Sequence, residues 1–206
     1  MKICILGATG RVGSEIIQLA LKDSAEVTAL VRNVNRMEIN HERLQVIEGN
    51  VLNENDIKKA LKGCEVVISA LGTDGNGTLS KSMPNIIKYM EKENVKKIIT
   101  VGTAGILQAR TNPNLYRFQS TESKRKTTTA AEDHLAAYEA LSQSKLCWTI
   151  VCPTHLINGD MTGVYRTEKD ILPEDGAEIT VGDTAHFTWD VCNRNIYGNS
   201  RIGISY

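Results

Sequence analysis

The stretch Gly7-Ala8-Thr9-Gly10-Arg11-Val12-Gly13 decides the fold of this 206-residue chain. It follows an apolar run, Lys2 to Leu6, that is typical of a buried strand, and it precedes Ser14 to Lys22, whose spacing predicts an amphipathic helix. Glycines between a strand and a helix let the backbone turn sharply and approach a phosphate. The helix N-terminus would offer unpaired N–H groups to that phosphate. A tight turn without a ligand is the alternative.

Strands and helices are predicted to alternate along the first three quarters of the chain. Parallel strands joined by helical crossovers form a doubly wound sheet, so the predicted fold class is α/β, a Rossmann fold with helices on both faces of a mostly parallel sheet. Residues 1–206 are expected to form one domain, in which a cap from about 153 to 206 contributes to the substrate site. Further strands are predicted at Glu26 to Val31, Leu44 to Glu48, Glu65 to Leu71, Lys97 to Gly102 and Cys147 to Cys152, and further helices at Asn55 to Lys62, Lys81 to Glu93 and Ala130 to Ser144.

Two longer stretches interrupt this alternation. Gln108 to Thr129 is polar and follows the fifth predicted strand, and Thr154 to Asp183 follows the sixth. Both are expected at the carboxyl edge of the sheet, where open α/β sheets bind ligands.

The bulk composition excludes several classes of protein. Acidic and basic residues balance at 24 each, which argues against a nucleic-acid-binding surface. No apolar run approaches the roughly 20 residues that span a bilayer, and the apolar N-terminal run is too short for a signal peptide, so we expect a cytoplasmic protein without a membrane partner. The five cysteines lack metal-ligand spacing, so no metal site is expected.

Arg32 indicates which dinucleotide the chain prefers. It lies 19 positions after Gly13, near the place where NAD-binding chains carry an acidic residue for the ribose 2′-hydroxyl. An arginine cannot accept that hydrogen bond, but it can pair with a 2′-phosphate. Arg36 and Arg11 would add positive charge, and the expected cofactor is NADP(H) in preference to NAD(H). The alternative is a solvated arginine at a strand end.

Two turns after successive strands are further candidates for cofactor binding. Asn50 and Val51 follow the third strand, where the Asn50 amide could accept from and donate to an adenine. Leu71, Gly72 and Thr73 follow the fourth strand, where small residues let a dinucleotide cross the sheet edge. Plain turns would explain each motif taken alone.

Four residues are candidates for the chemistry. Thr103 ends the fifth strand, where its hydroxyl could face a nicotinamide. His134 and Tyr138 are four apart on one predicted helix and share a face. His155 follows the sixth strand at the same edge and could donate a proton or orient an acceptor. Purely structural roles are the alternative for all four.

These motifs together resemble the biliverdin reductase B (NADPH-dependent flavin reductase) family, an atypical branch of the short-chain dehydrogenases. The tail adds Cys152-Pro153-Thr154-His155, Met161-Thr162-Gly163-Val164-Tyr165 and Asp183-Thr184-Ala185-His186-Phe187. The resemblance implies a monomer that binds NADP(H), with Pro153 at the cofactor, and that reduces a flavin or a similar planar acceptor. The chain departs from the family at Asn50, where Asp is usual, and at Tyr138, where His is common.

The candidate tyrosines bear on the reaction type. The main dehydrogenase group uses a Tyr-x-x-x-Lys pair, which we expect to be absent from this chain, because Tyr138 is followed four residues later by Ser142, and Tyr89 by Glu93. A reductase of flavins, quinones or similar acceptors is therefore the leading hypothesis. A non-catalytic NADP(H)-binding redox sensor is the alternative. A nucleotide-sugar epimerase or dehydratase is less favoured, because few residues follow the sixth strand.

Overall fold

A computed structural model describes residues 1–123, 125–194 and 196–206 of the chain. Its main sheet has eight strands in the order β3-β2-β1-β4-β5-β6-β10-β8. All neighbours pair in parallel except β8, which runs antiparallel to β10 at one edge. The strands are β1 Lys2–Leu6, β2 Glu26–Val31, β3 Leu44–Glu48, β4 Val66–Ser69, β5 Lys97–Val101, β6 Cys147–Pro153, β8 Arg166–Lys169 and β10 Ser200–Ser205. A separate parallel pair joins β7 His155–Ile157 to β9 Glu178–Thr180.

Five α-helices cover the two faces of the main sheet. They are α1 Arg11–Lys22, α2 Glu54–Leu61, α3 Thr78–Lys92, α4 Thr129–Ser142 and α5 Val181–Arg194. Residues of β1 alternate between the two cores: Cys4 and Leu6 join the core that contains α2, α3 and α4, whereas Ile3 and Ile5 join the core that contains α1 and α5. Burial on both faces explains why the parallel strands are continuously apolar. The predicted fold class is confirmed.

Two helices begin earlier than predicted, and the causes are not visible in the local hydrophobic pattern. Helix α1 begins at Arg11 rather than Ser14, because the last glycine of the loop already lies within the helix. Helix α3 begins at Thr78 rather than Lys81, because the Asp133 carboxylate from α4 accepts the N–H groups of Leu79 and Ser80 at 3.2 and 2.9 Å.

The tail of the chain contains more regular structure than the pattern indicated. Helix α5 and strand β10 were not predicted, although β10 extends the parallel sheet beside β6. A buried carboxylate fixes this region: Asp183 accepts the N–H groups of Thr162 and Gly163, both at 2.8 Å, and the Tyr206 hydroxyl at 2.7 Å. Burial raises the pKa of Asp183, but its hydrogen bonds outweigh burial and hold that pKa below its usual value.

The long polar stretch after β5 folds back over the sheet. The Gln108 N–H donates to the Asp170 carbonyl at 2.8 Å, and the Arg117 N–H donates to the Leu107 carbonyl at 2.7 Å. These bonds fix the first half of the stretch against β8 and β10. Of the described helices, none is both long enough and apolar enough to cross a membrane.

Replacing Gly13 with alanine tests the packing of the glycine loop. A Cβ at Gly13 would lie 2.3 Å from the carbonyl oxygen of Gly7, so backbone must move. We expect Gly13→Ala to lower the free energy of unfolding by at least about 2 kcal/mol in urea denaturation, although alanine favours helices. Gly72→Ala is the matched control, since a Cβ there meets no atom within 4 Å. Equal stability of the two variants would contradict this packing.

Candidate functional site

The strand order places a crevice at the carboxyl ends of β1 and β4. Strands β2 and β3 lie on one side of β1, whereas β4 and the later strands lie on its other side. Doubly wound sheets bind ligands at such a switch point. The loop that follows β1, Gly7 to Gly10, lies at this point.

The glycine loop is packed too closely for side chains. Gly7 has a φ of +80°, and a Cβ there would lie 2.4 Å from the carbonyl oxygen of Ala70, just after β4. The Gly10 N–H closes the turn by donating to the Gly7 carbonyl at 3.0 Å. The loop therefore fits between the end of β4 and the start of α1 only with glycine at these positions.

The N-terminus of α1 faces outward from this loop with its donors unused. Its N-cap is Gly10, which has no side chain to accept a hydrogen bond, and its first turn has no acidic residue. The N–H groups of Arg11, Val12 and Gly13 donate to no atom of the residues that the structure describes. Three free donors and the positive end of the helix dipole form a site suited to an anion. Thr9, half-buried in the loop, lies beside them.

Three arginines lie on the segments that follow β1 and β2. Arg32 directly follows β2, and Arg36 ends the short 3₁₀ helix Val34–Arg36; both are exposed, and within the described chain neither forms an ion pair. The Arg11 guanidinium instead donates to the Asn158 side-chain oxygen at 2.7 Å. Sequence reasoning missed Asn158, because only the fold brings the segment after β7 to the start of α1.

The turns after β3 and β4 have different characters. The Asn50 side-chain oxygen accepts the Leu52 N–H at 3.0 Å, which leaves its amide N–H groups as the available donors. Val51 is buried in the core, whereas Leu71 is only half-buried and Gly72 is exposed. Of this predicted set, the residues after β4 lie nearest the glycine loop, through its contact with Ala70.

A cavity of about 440 Å³ opens between the N-termini of α3 and α4, and we call it the α3–α4 cavity. Thr73, Gly75 and Gly77 form one wall, and Thr129 and Asp133 form part of the other. Because both helices begin at the carboxyl edge of the sheet, the cavity adjoins the predicted dinucleotide crevice. Sequence reasoning missed Asp133, whose partners lie more than 50 residues away.

The structure does not bring all four candidates for chemistry into one cavity. His134 lines a narrow space together with Ser69 and Thr100, near the carboxyl ends of β4 and β5. Thr103 follows β5, and its hydroxyl accepts the Gly105 N–H at 3.3 Å. His155 is exposed at the start of β7.

Tyr138 belongs to an aromatic cluster rather than to the glycine-loop region. It shares the narrow space with His134, as expected for residues four apart on a helix. Its ring packs edge-on against Trp148 with centroids 5.6 Å apart, and the Arg201 guanidinium lies 4.7 Å from its centroid. Trp148 lies near the amino end of β6, so this ring contact lies away from the carboxyl end of β6.

The expectation that the chain lacks a Tyr-x-x-x-Lys pair is wrong at the level of spacing, because Tyr165 is followed four residues later by Lys169. Lys169 ends strand β8, and the Tyr165 hydroxyl is 2.9 Å from Nδ1 of His186. Burial raises the pKa of Tyr165 to about 12. A strand pair with so weakly acidic a tyrosine does not reproduce the helical pair of the dehydrogenases.

His134 is held in its neutral form. Burial lowers the pKa of its imidazole to about 4, and the charge of neighbouring Asp133 offsets only part of this effect. A neutral imidazole can donate one hydrogen bond and accept another, but near neutral pH it is not an imidazolium acid.

Comparison with known proteins identifies the family. The model for NAD(P)H-binding proteins matches residues 7–195. The chain belongs to this NAD(P)H-binding family. Family membership confirms the predicted resemblance at the level of a NAD(P)H-binding Rossmann protein.

Individual relatives agree with this assignment. YwnB of Bacillus subtilis (strain 168), an uncharacterised protein, is 28% identical over 177 residues, which cover 82% of this chain and 80% of YwnB. A Bacteroides thetaiotaomicron protein, provisionally named an epimerase, is 29% identical with a TM-score of 0.88, covering 100% of this chain and 96% of that one. A Streptococcus pneumoniae TIGR4 protein, provisionally named an NADH-flavin reductase, shares the fold with a TM-score of 0.85 at 24% identity, covering 100% and 99%.

The low pKa of His134 predicts a specific pH dependence of stability. An ordinary histidine pKa of 6.5 in the unfolded chain exceeds the folded value of about 4, so the unfolded state binds the extra proton between these values. Stability should therefore fall as pH drops from 6.5 to 4, with His134 contributing up to about 1.4 kcal/mol per pH unit.

Urea denaturation at pH 7, 6, 5 and 4.5 measures this slope. His134→Gln should flatten it, whereas His41→Gln, at a histidine near the edge strand β3, should leave it unchanged. An unchanged slope in His134→Gln would show that another group causes the pH dependence.

Proposed function

We propose that this chain is an NADPH-dependent reductase of a flavin, a quinone or a similar planar acceptor. The observation that carries the proposal is the free N-terminus of α1 at the switch point, together with the exposed arginines that follow the neighbouring strand β2. The family binds NAD(P)H, so the free donors of Arg11, Val12 and Gly13 are suited to its pyrophosphate.

The preference for NADP(H) rests on Arg32 and Arg36. Each is exposed near the end of β2, and among the described residues neither has an acidic partner that would compete for a phosphate. A guanidinium pairs well with a phosphate through two parallel hydrogen bonds. The Asn50 amide N–H groups remain available to an adenine ring.

The acceptor is proposed to lie in the α3–α4 cavity and the adjoining ends of β4 and β5. Its volume of about 440 Å³ lies within the range of small-molecule sites. Thr73, Thr103 and neutral His134 would offer hydrogen bonds that orient the acceptor, and exposed His155 would lie at its outer side. We also infer that residues from about 153 onward complete the site, since Asn158 contacts Arg11.

NADPH supplies a hydride when bound, so the protein needs mainly to position the acceptor and exclude water. A flavin or quinone can take its proton from solvent. A reductase of this kind does not require an imidazolium acid. The low pKa of His134, which keeps its imidazole neutral, is therefore compatible with the reaction.

Two other functions are less well supported. An epimerase, the provisional name of the Bacteroides relative, would need a helical Tyr-x-x-x-Lys pair, whereas here Tyr138 packs against Trp148 and Arg201. A non-catalytic NADP(H) sensor would keep the α1 terminus and the arginines but would not turn over. Mixing the protein with NADPH and FMN, FAD or a quinone separates these possibilities, because only a reductase oxidises NADPH.

Arg32→Ala tests the basis of cofactor preference. Losing a charge-assisted bond to the 2′-phosphate should weaken NADPH binding about tenfold or more, while NADH binding changes less than about threefold. Isothermal titration with both dinucleotides measures this difference. Lys59→Gln, at an exposed cation on α2, is the control and should affect neither. If the binding of both dinucleotides weakens equally, Arg32 does not recognise the 2′-phosphate.

His155→Gln tests whether the segment after β6 contributes to the reaction. Losing a group that orients the acceptor should lower flavin turnover by about tenfold, while the NADPH dissociation constant changes less than about twofold. Glu178→Gln is the control. Glu178 is the β partner of His155 in the β7–β9 pair, so this change is made at the same place in the fold but keeps the imidazole. Unchanged turnover in His155→Gln would exclude His155 from the site.

A further inference from the structure

A second cavity, of about 480 Å³, lies at the edge of the sheet formed by the amino ends of the strands, opposite the edge with the glycine loop. We call it the Trp148 cavity. Trp148 lies near the amino end of β6, and Asn199 directly precedes β10, so this cavity opens toward the amino ends of the strands. The proposed reductase site does not use it. Its main lining residues are Tyr116, Tyr138, Trp148, Asp170, Asn199 and Arg201.

The outer wall of the Trp148 cavity is fixed by hydrogen bonds. The Gln108 N–H donates to the Asp170 carbonyl at 2.8 Å, and the Gln108 side-chain amide donates to the Pro113 carbonyl at 2.7 Å. The Ala109 N–H also donates to the Leu115 carbonyl at 3.0 Å. These three hydrogen bonds fix the wall to the segment after β8 and to itself.

Arg201 lies against the aromatic side of this cavity. Its guanidinium lies 4.7 Å from the ring centroid of Tyr138 and 5.6 Å from that of Tyr116, and the residue is only 9% exposed. Nη1 donates to the Ile106 carbonyl at 2.6 Å, and Nε lies 3.4 Å from Oδ1 of Asp170. Cation–π contacts and these bonds fix the plane of the guanidinium.

The Arg201–Asp170 pair keeps one donor and one acceptor unused. Nη2 of Arg201 and Oδ2 of Asp170 make no hydrogen bond with any residue that the structure describes. A ligand anion would be repelled by Oδ2, and a ligand cation would be repelled by Nη2. A neutral group with an N–H beside a carbonyl satisfies both atoms at once.

The backbone around the pair is also unusual. Asp170 and Asn199, which both line the cavity, have φ values of +63° and +52°, which are uncommon for residues other than glycine. Strained backbone of this kind is concentrated at ligand sites. Asn adopts this region as readily as Asp, which makes a conservative variant available at Asp170.

We propose that the Trp148 cavity binds a planar heteroaromatic lactam. The ring N–H donates to Oδ2 of Asp170, and the adjacent carbonyl accepts from Nη2 of Arg201. The ring packs against the aromatic walls of the cavity, as bases and flavins pack on aromatic side chains. Guanine, uracil and isoalloxazine rings share this chemistry. The proposal does not depend on the reductase function, because the two sites lie at opposite edges of the sheet.

Calorimetric titration with guanosine, uridine and riboflavin tests the lactam and distinguishes its sources. At least one probe should bind, and the same probe methylated at the lactam nitrogen should bind at least about tenfold more weakly. Purine riboside, which carries neither the N–H donor nor the carbonyl, should not bind. Absence of binding by all three probes, or equal binding of the methylated probe, would overturn the proposal.

In Asp170→Asn, the side-chain oxygen continues to accept from Nε of Arg201. The amide N–H group therefore replaces Oδ2, the atom that must accept from the ligand. This substitution should weaken the binding probe at least about tenfold without changing the urea midpoint. Probe binding should quench fluorescence in Trp189→Phe but not in Trp148→Phe, which locates the probe. Unchanged binding by Asp170→Asn, or displacement of the probe by saturating NADP⁺, would contradict the proposal. Failure of NADP⁺ itself to bind would bear only on the reductase function.

Discussion

The close approach of three backbone segments at Gly7 is the constraint on which the structure depends. A Cβ at Gly7 would lie 2.4 Å from the Ala70 carbonyl, and one at Gly13 would lie 2.3 Å from the Gly7 carbonyl. The end of β1, the end of β4 and the first turn of α1 therefore pack without side chains between them. This packing aims the free N–H groups of α1 into the crevice between β1 and β4.

The sequence was sufficient to predict the sheet up to β6 because parallel strands are buried on both faces. Mostly apolar runs such as Lys2–Leu6 and Glu26–Val31 match the observed bounds. Helix α5 in the tail was not predicted, because the residues that it buries are partly polar. Helix α5 contains Gly182 and buries Asp183, Thr184 and Thr188, so its pattern does not show an apolar stripe. Hydrogen bonds from distant residues satisfy these polar groups, and no local pattern reveals them.

The candidate site was predictable in its position but not in its contacts. Parallel strands bring the segments after β1, β4, β5 and β6 to one edge, so spacing alone located the glycine loop, Thr73, Thr103 and His155 there. Contacts between distant segments, such as Arg11 with Asn158, need the fold. The same holds for Tyr138, whose helical position is close to His134 but whose ring joins Trp148 and Arg201.

We infer that the free N-terminus of α1 holds the dinucleotide. NMR can test this by following the backbone amide signals of ¹⁵N-labelled protein during titration with NADPH. We expect the amides of Arg11, Val12 and Gly13 to shift most, because their N–H groups would exchange water for pyrophosphate oxygens. Unchanged signals at these three residues, with NADPH bound elsewhere, would contradict it.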